Sequence, residues 1–284
     1  MRKITINLAA VAAFCIVVAS PALVSSSCAT PQTEQEDTTI IREDLGITAL
    51  KYSSPEVPSS IEFCGKVIDL SRFDRHERMD RELLAFTYMH STSLQMLKKA
   101  NRYFPIVEPI LKENGIPDDF KYLMVIESNM NPTARSSAGA AGLWQFMQGT
   151  GRDYGLEVNN NVDERYHIEK ATRAACRYLK DAYAKYKDWV AVAASYNAGQ
   201  ARIASQLAKQ DVDDSLDLQL VEETARYVYR ILAAKQLFSA PTTFGFRLRA
   251  SDLYPPIPYT EVTVTKGIAD LARFARSKGD RKSV

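Results

Sequence analysis

The sequence is poor in the residues that hold metals. Its three histidines, His76, His90 and His167, are scattered without ligand-like spacing, and its four cysteines form no Cys-x-x-Cys pair. A metal site is therefore not expected, and no cofactor motif takes its place. An excess of one charge is also missing. The 36 Lys and Arg nearly balance the 34 Asp and Glu, and the net charge of +2 forms no long basic stripe, so nucleic acid is not an expected partner. Before the C-terminal tail there is no alternating apolar–polar run of the kind a half-buried strand needs. The 46 % hydrophobic content is ordinary for a globular protein, and 284 residues can hold one large domain or two modest ones.

The N-terminus is more specific. Arg2 and Lys3 precede an apolar run from about Ile4 to Val18, then the small residues of "ASPALVSSSCAT". This reads as a secretory signal over residues 1–28 and is short for a membrane span. Cys28 follows it where a bacterial lipoprotein signal is cut and its cysteine lipidated. Three positions before it stands Ser25 rather than the usual Leu, with Val24 one place too far. Lipidation is the favoured reading over simple release, because a polar tether follows directly. The expected location is the bacterial periplasm, with a membrane anchor at Cys28. Residues 29–70 are read as flexible tether, on the Ser, Thr, Pro and acid content of 29–60. Cys64 and Cys176 remain for the folded body. Cys176, in "RAACRYLK", suits a small buried helical residue, and a disulfide between the two stays open.

From Ser71 the pattern becomes helical. A mixed three- and four-residue spacing runs to about Phe104, and "YFPIVEPILKENG" is read as a further helix ending at Gly115. A helix led by Pro117 follows, then an irregular stretch, then a short helix from about Leu143 to Thr150. "YHIEKATRAACRYLKDAYAKYK" offers Ile168, Ala171, Ala175 and Leu179 to one face. "WVAVAASYNAG" is a helix with small residues all round, hence buried among other helices, and stops at Gly199. A last helix spans about Val221 to Phe238. The body is thus mainly α, over residues 71–245. In the tail, 246–284, "YTEVTVT" alternates as a strand and "IADLARFARSKG" is amphipathic, which gives a short α+β piece.

One acid stands out. In "KYLMVIESNMNP" Phe120, Leu123, Met124 and Glu127 share one helical stripe, and Pro132 ends the helix just beyond. A carboxyl on an apolar face near a helix C-terminus is opposed by burial and by the dipole, and its pKa should rise. That suits a proton donor near neutral pH. A surface cap or an ion pair with a nearby Arg would place an acid there equally well.

Four motifs in order add to this: Glu-Ser in "VIESNMNP", Gly-Leu-x-Gln in "SSAGAAGLWQFM", Tyr-Asn-Ala-Gly in "ASYNAG" and Glu-Thr-x-x-Tyr in "ETARYV". Together, over roughly residues 100–240, they resemble the catalytic domain of family 1 lytic transglycosylases, in the membrane-bound branch whose second motif carries a Trp, here Trp144. The resemblance implies a goose-type, lysozyme-like fold. It also implies cleavage of the β-1,4 bond between N-acetylmuramic acid and N-acetylglucosamine in peptidoglycan. No water is added, and 1,6-anhydromuramoyl ends remain. Glu127 would act as acid and then base, whereas most glycosidases flank the bond with two carboxylates. Asp163 and Glu164 lie farther along the chain.

By position in those motifs, Ser128 would contact substrate or orient Glu127, and Gln145 would reach a sugar amide. Tyr196 would offer a stacking face and a hydroxyl, beside Asn197. Tyr227 would lie near the charge developing at C1, with Glu223 a substrate or structural contact one turn before it. The tail resembles the opening strand and helix of a LysM peptidoglycan-binding module. A hydrolytic lysozyme of the same fold and a non-catalytic glycan-binding scaffold are the alternatives.

Overall fold

The computed structural model describes residues 53–212, 214–258 and 262–279. The signal segment, Cys28 and the first part of the expected tether lie outside the described residues. The mainly α expectation is met. Nine α-helices, four short 3-10 helices and one two-stranded antiparallel sheet make up the regular structure of the described residues.

The chain folds earlier than its composition suggests. Strands β1 (Ser60–Phe63) and β2 (Lys66–Asp69) pair antiparallel, with Ile61 opposite Ile68, inside the stretch read as tether. Ile61, Phe63, Ile68 and Leu70 are buried, and Phe63 packs 5.9 Å from Phe120. Four apolar residues within ten were enough to dock a hairpin on the helical body, and the polar composition around them hid it.

Helix α1 (Phe73–Tyr88) buries Met79, Leu83 and Phe86 along one stripe. Helix α2 (His90–Glu113) is continuous across the two segments that sequence reading separated. Pro105 and Pro109 lie inside it on the exposed face, in line with exposed Asn101. Each removes the bond to the carbonyl four residues back, that of Asn101 or Pro105, and the exposed face of the helix tolerates this better than its buried face would.

Helix α3 (Phe120–Ser128) is short and nearly all buried. Helix α4 (Gln148–Asp153) starts five residues later than predicted, because 143–147 form an irregular loop. Helix α5 (Ile168–Tyr186) buries Ala171, Ala175 and Leu179, as its periodicity indicates, with Ile168 half-buried. Helix α6 (Trp189–Ala198) is buried along most of its length and ends at Gly199. Helix α7 (Gln200–Gln210) resumes at once and escaped sequence reading, since Ile203 is its one buried residue. Helix α8 (Glu222–Ser239) lies at the centre, against α1, α3 and α6.

Both Cys64 and Cys176 are free thiols. In the tail, the Tyr254 amide donates to the Lys98 carbonyl at 3.0 Å, and Arg102 Nε donates to the Pro255 carbonyl at 2.9 Å, so this segment straps along α2. The predicted strand is not formed over 262–265, and 259–261 lie outside the described residues. Helix α9 (Leu271–Ser277) follows.

Candidate active site

Helix α3 is pinned at its start. The Asp119 carboxylate accepts from the Cys64 backbone N–H at 2.7 Å and from Lys235 Nζ at 2.8 Å, while Lys235 also reaches Glu62 at 2.9 Å. The hairpin and α8 thereby fix the helix that carries the acid. At its other end Asn129 and Met130 take the left-handed conformation, with φ of 48° and 59°. Non-glycine residues in that region mark a backbone held by its surroundings, here a sharp reversal directly after Glu127 and Ser128.

Glu127 is half-buried, and its pKa is pushed up to about 7. Burial is the main cause. The Tyr227 hydrogen bond and the Arg230 cation pull it down, and Glu223 pushes it up. Tyr227 is 4 % exposed and donates its hydroxyl to Glu127 Oε1. Burial, then the neighbouring Glu127 charge, hold the Tyr227 phenol well above its ordinary pKa, so it remains a donor across the physiological range. Tyr196 is raised in the same way, by burial and then by Glu127.

The second motif builds a wall. Gly142 has a φ of +76°, and a Cβ there would lie 1.9 Å from the Arg165 carbonyl oxygen, so glycine alone fits this close approach. Trp144 is fully buried, with Nε1 donating to Thr172 Oγ1 at 2.9 Å, and its carbonyl accepts from the Tyr196 hydroxyl at 2.8 Å. Gln145 donates through Nε2 to the carbonyls of Gly142 at 2.7 Å and Ala134 at 3.2 Å. Its amide N–H groups hold the loop instead of reaching outward.

The other motif residues divide similarly. Ser128 is buried, and its hydroxyl donates to the Met124 carbonyl at 3.3 Å, one turn back in α3. Asn197 Oδ1 accepts from Thr224 Oγ1 at 2.8 Å, which ties α6 to α8. Glu223 is exposed, one turn before Tyr227, and electrostatically felt by Glu127. The structure thus brings Glu127, Tyr227, Tyr196 and Glu223 to one place and uses Ser128, Gln145 and Asn197 for internal bonds.

Arg165 is the residue that sequence reading missed. It is 4 % exposed, donates to the carbonyls of Gly139 at 2.8 Å and Phe146 at 3.0 Å, and pairs with Asp163 at 2.7 Å. Its signal was local, an Asp two residues before an Arg in "NVDERY". The same pairing settles Asp163, whose carboxyl Arg165 holds below the usual range, while Lys170 does the same for Glu164. Both acids are engaged with cations, and neither is among the groups that shift Glu127.

Residues 105–217 match the family described as Transglycosylase SLT domain. The match covers less than half of this chain, and the Glu-Thr-x-x-Tyr motif with Tyr227 lies just beyond the matched span. The chain is similar to membrane-bound lytic murein transglycosylase D of Escherichia coli strain K12, with 30 % identity over 181 residues, 62 % of this chain and 39 % of that protein. The chain therefore spans well under half the length of that relative. Membrane-bound lytic murein transglycosylase C of Haemophilus ducreyi is 29 % identical over 150 residues, 48 % of this chain and 40 % of that one. Among solved structures, the 70 kDa soluble lytic transglycosylase of Escherichia coli is similar with a TM-score of 0.43 at 21 % identity, over 55 % of this chain and 27 % of that chain.

Proposed function

We propose that this chain is an exported lytic transglycosylase that cleaves the β-1,4 bond between N-acetylmuramic acid and N-acetylglucosamine in peptidoglycan strands. The observation that carries the reading is the state of Glu127: an acid with its pKa raised to about 7, bonded to a buried phenol, at the end of a pinned helix. The names of the relatives supply the substrate class.

Glu127 enters protonated and gives its proton to the glycosidic oxygen as the C1–O4 bond breaks, which frees the N-acetylglucosamine 4-hydroxyl. Positive charge develops at C1. The muramoyl 6-oxygen then bonds to C1 and its proton passes to the Glu127 carboxylate, restoring the acid and closing the 1,6-anhydro ring. No water enters. A pKa near 7 suits both halves, since the group must give a proton and then take one. Tyr227 steadies the carboxylate between the two transfers.

Cys28, lipidated, would tether the domain to a membrane within reach of the cell wall. Glu127→Gln tests the acid: turnover of purified sacculi should fall by at least ~10²–10⁴-fold with glycan binding retained, because the amide keeps the shape but has no proton to give. Release of murein by this variant at near wild-type rate would overturn the assignment.

A further inference from the structure

Glu82 is a carboxylate 1 % exposed in the seam between α1 and α8, far in sequence from every motif described above. Burying a carboxylate costs several kcal/mol unless cations meet it. Two do. Arg226 Nε lies 2.6 Å from Glu82 Oε1, and Arg230 Nε lies 3.8 Å from Oε2.

These arginines flank the residue that touches the acid. Glu223, Arg226, Tyr227 and Arg230 fall at i, i+3, i+4 and i+7, a single stripe of α8. Tyr227 turns to Glu127 on α3, and Arg226 and Arg230 turn to Glu82 on α1. The charged or titratable groups that act on Glu127 are Tyr227, Arg230 and Glu223 from α8, with Tyr196 coupled to it from α6. Of these Arg230 is the one cation. Within 4.0 Å, among the described residues, it pairs with Glu82, and Glu127 has no ion-pair partner.

We propose that Glu82 is a positioning residue for the acid: it holds the Arg230 guanidinium on the α1 side of α8 and so keeps it from pairing with Glu127. An arginine free to swing onto Glu127 would hold that group as a carboxylate, and an ionised Glu127 cannot protonate the leaving oxygen. Arg230 stands on the same stripe of α8 as Tyr227, one turn from the residue that touches Glu127, and from there its cation pulls the Glu127 pKa down. Helix α1, outside the matched family span, thereby takes part in setting the proton donor. The role of Glu82 rests on the reading of Glu127 as the acid.

The test is a direct titration of Glu127 in protein carrying carboxyl-labelled glutamate, followed by NMR, with the Glu127→Gln variant assigning the signal. Four further variants are compared: Glu82→Gln, Glu82→Asp, Arg230→Met and the Glu82→Gln/Arg230→Met double. Glu82→Gln should lower the Glu127 midpoint by about one pH unit, the low end of the effect of an approaching opposite charge. The alkaline limb of kcat/KM should move down with it. Glu82→Asp, which withdraws the carboxylate by one methylene and is the milder change to the fold, should shift both in the same direction by less. Arg230→Met should raise the midpoint, and the double variant should titrate like Arg230→Met.

An unchanged midpoint in folded Glu82→Gln or Glu82→Asp would overturn the proposal. So would a double variant that titrates below Arg230→Met by the full single-variant shift, since Glu82 would then act without the arginine. The titration needs no turnover, so it fails separately from the catalytic reading, which the activity of Glu127→Gln decides.

Discussion

The Tyr227 hydroxyl and the Glu127 carboxyl, 100 positions apart in the chain, meet in a hydrogen bond. From the motif alone Tyr227 is expected beside the sugar carbon; the geometry aims its hydroxyl at the acid itself. A donor to the carboxylate favours the ionised form and moderates the rise that burial imposes. The pair sits where α3 and α8 pack together, so the acid's environment is set by the fold as much as by its neighbours in sequence.

Tyr227→Phe should therefore act in two ways. Loss of the hydrogen bond removes a lowering influence, and the alkaline limb of activity, expected near pH 7 in the wild type, should move to higher pH. The carboxylate formed after the first proton transfer loses its support, and kcat should fall by roughly 10²-fold, the low end of what positioned donors contribute. Ground-state glycan binding should change little. A pH–rate profile and kcat for this one variant check both effects, and an unmoved limb with unchanged kcat would remove Tyr227 from the chemistry.

Burial of Glu127 also predicts a stability effect with a definite sign. Its folded pKa of about 7 stands above the ordinary 4.5, so between those values the native state binds more protons than the unfolded chain. Unfolding free energy therefore falls as pH rises through that window, and the loss is complete above pH 7. Glu127→Gln has no such loss. Its advantage over wild type should grow by up to about 3 kcal/mol between pH 4.5 and 8, at about 1.4 kcal/mol for each pH unit that separates the folded and unfolded pKa. Denaturant unfolding of both proteins at the two pH values measures it, and a pH-independent difference would show that Glu127 titrates as an exposed carboxyl.

Gly142→Ala should be destabilising out of proportion to one methyl group. The new Cβ meets the Arg165 carbonyl at 1.9 Å, and the φ of +76° is poor for alanine besides. The cost should exceed about 1 kcal/mol, because backbone must move in a loop that Arg165 and Tyr196 both clasp. A thermal melt should show a drop of at least a few degrees. An unshifted melting temperature would mean that the loop is looser than its hydrogen bonds indicate.

The Glu127 helix was legible because its apolar stripe, leading Pro117 and terminal Pro132 all point one way, and α6 was legible because its residues are small all round. Where signals conflict, sequence reading failed. Sequence reading broke α2 at about Phe104, just before Pro105, where its solvent-facing side needs no boundary. Gly199 ended α6 as expected but also opened α7, and a helix with one buried residue leaves almost no pattern. The roles of Ser128, Gln145 and Asn197 depend on partners elsewhere in the chain, namely Met124, Ala134, Gly142 and Thr224, and the spacing of the motifs does not encode them. Arg165 and Glu82 do their work through carbonyls and cations from other segments, which only the folded chain brings together.

The proposed anchor is testable without any structure. Metabolic labelling with a palmitate analogue should mark the protein, and Cys28→Ala should lose the label and move to the soluble periplasmic fraction. Equal partitioning of both forms with no label would mean that the chain is simply secreted.

Whether one acid suffices without water is tested most directly by digesting purified sacculi in water enriched in heavy oxygen and weighing the released muropeptides. A lytic transglycosylase closes the muramoyl 6-oxygen onto C1, so every new muramoyl end should be a 1,6-anhydro ring, lighter by one water than a reducing end and free of solvent oxygen. Reducing ends that carry the heavy oxygen would mean that a positioned water attacks C1, and the single-acid mechanism at Glu127 would be contradicted.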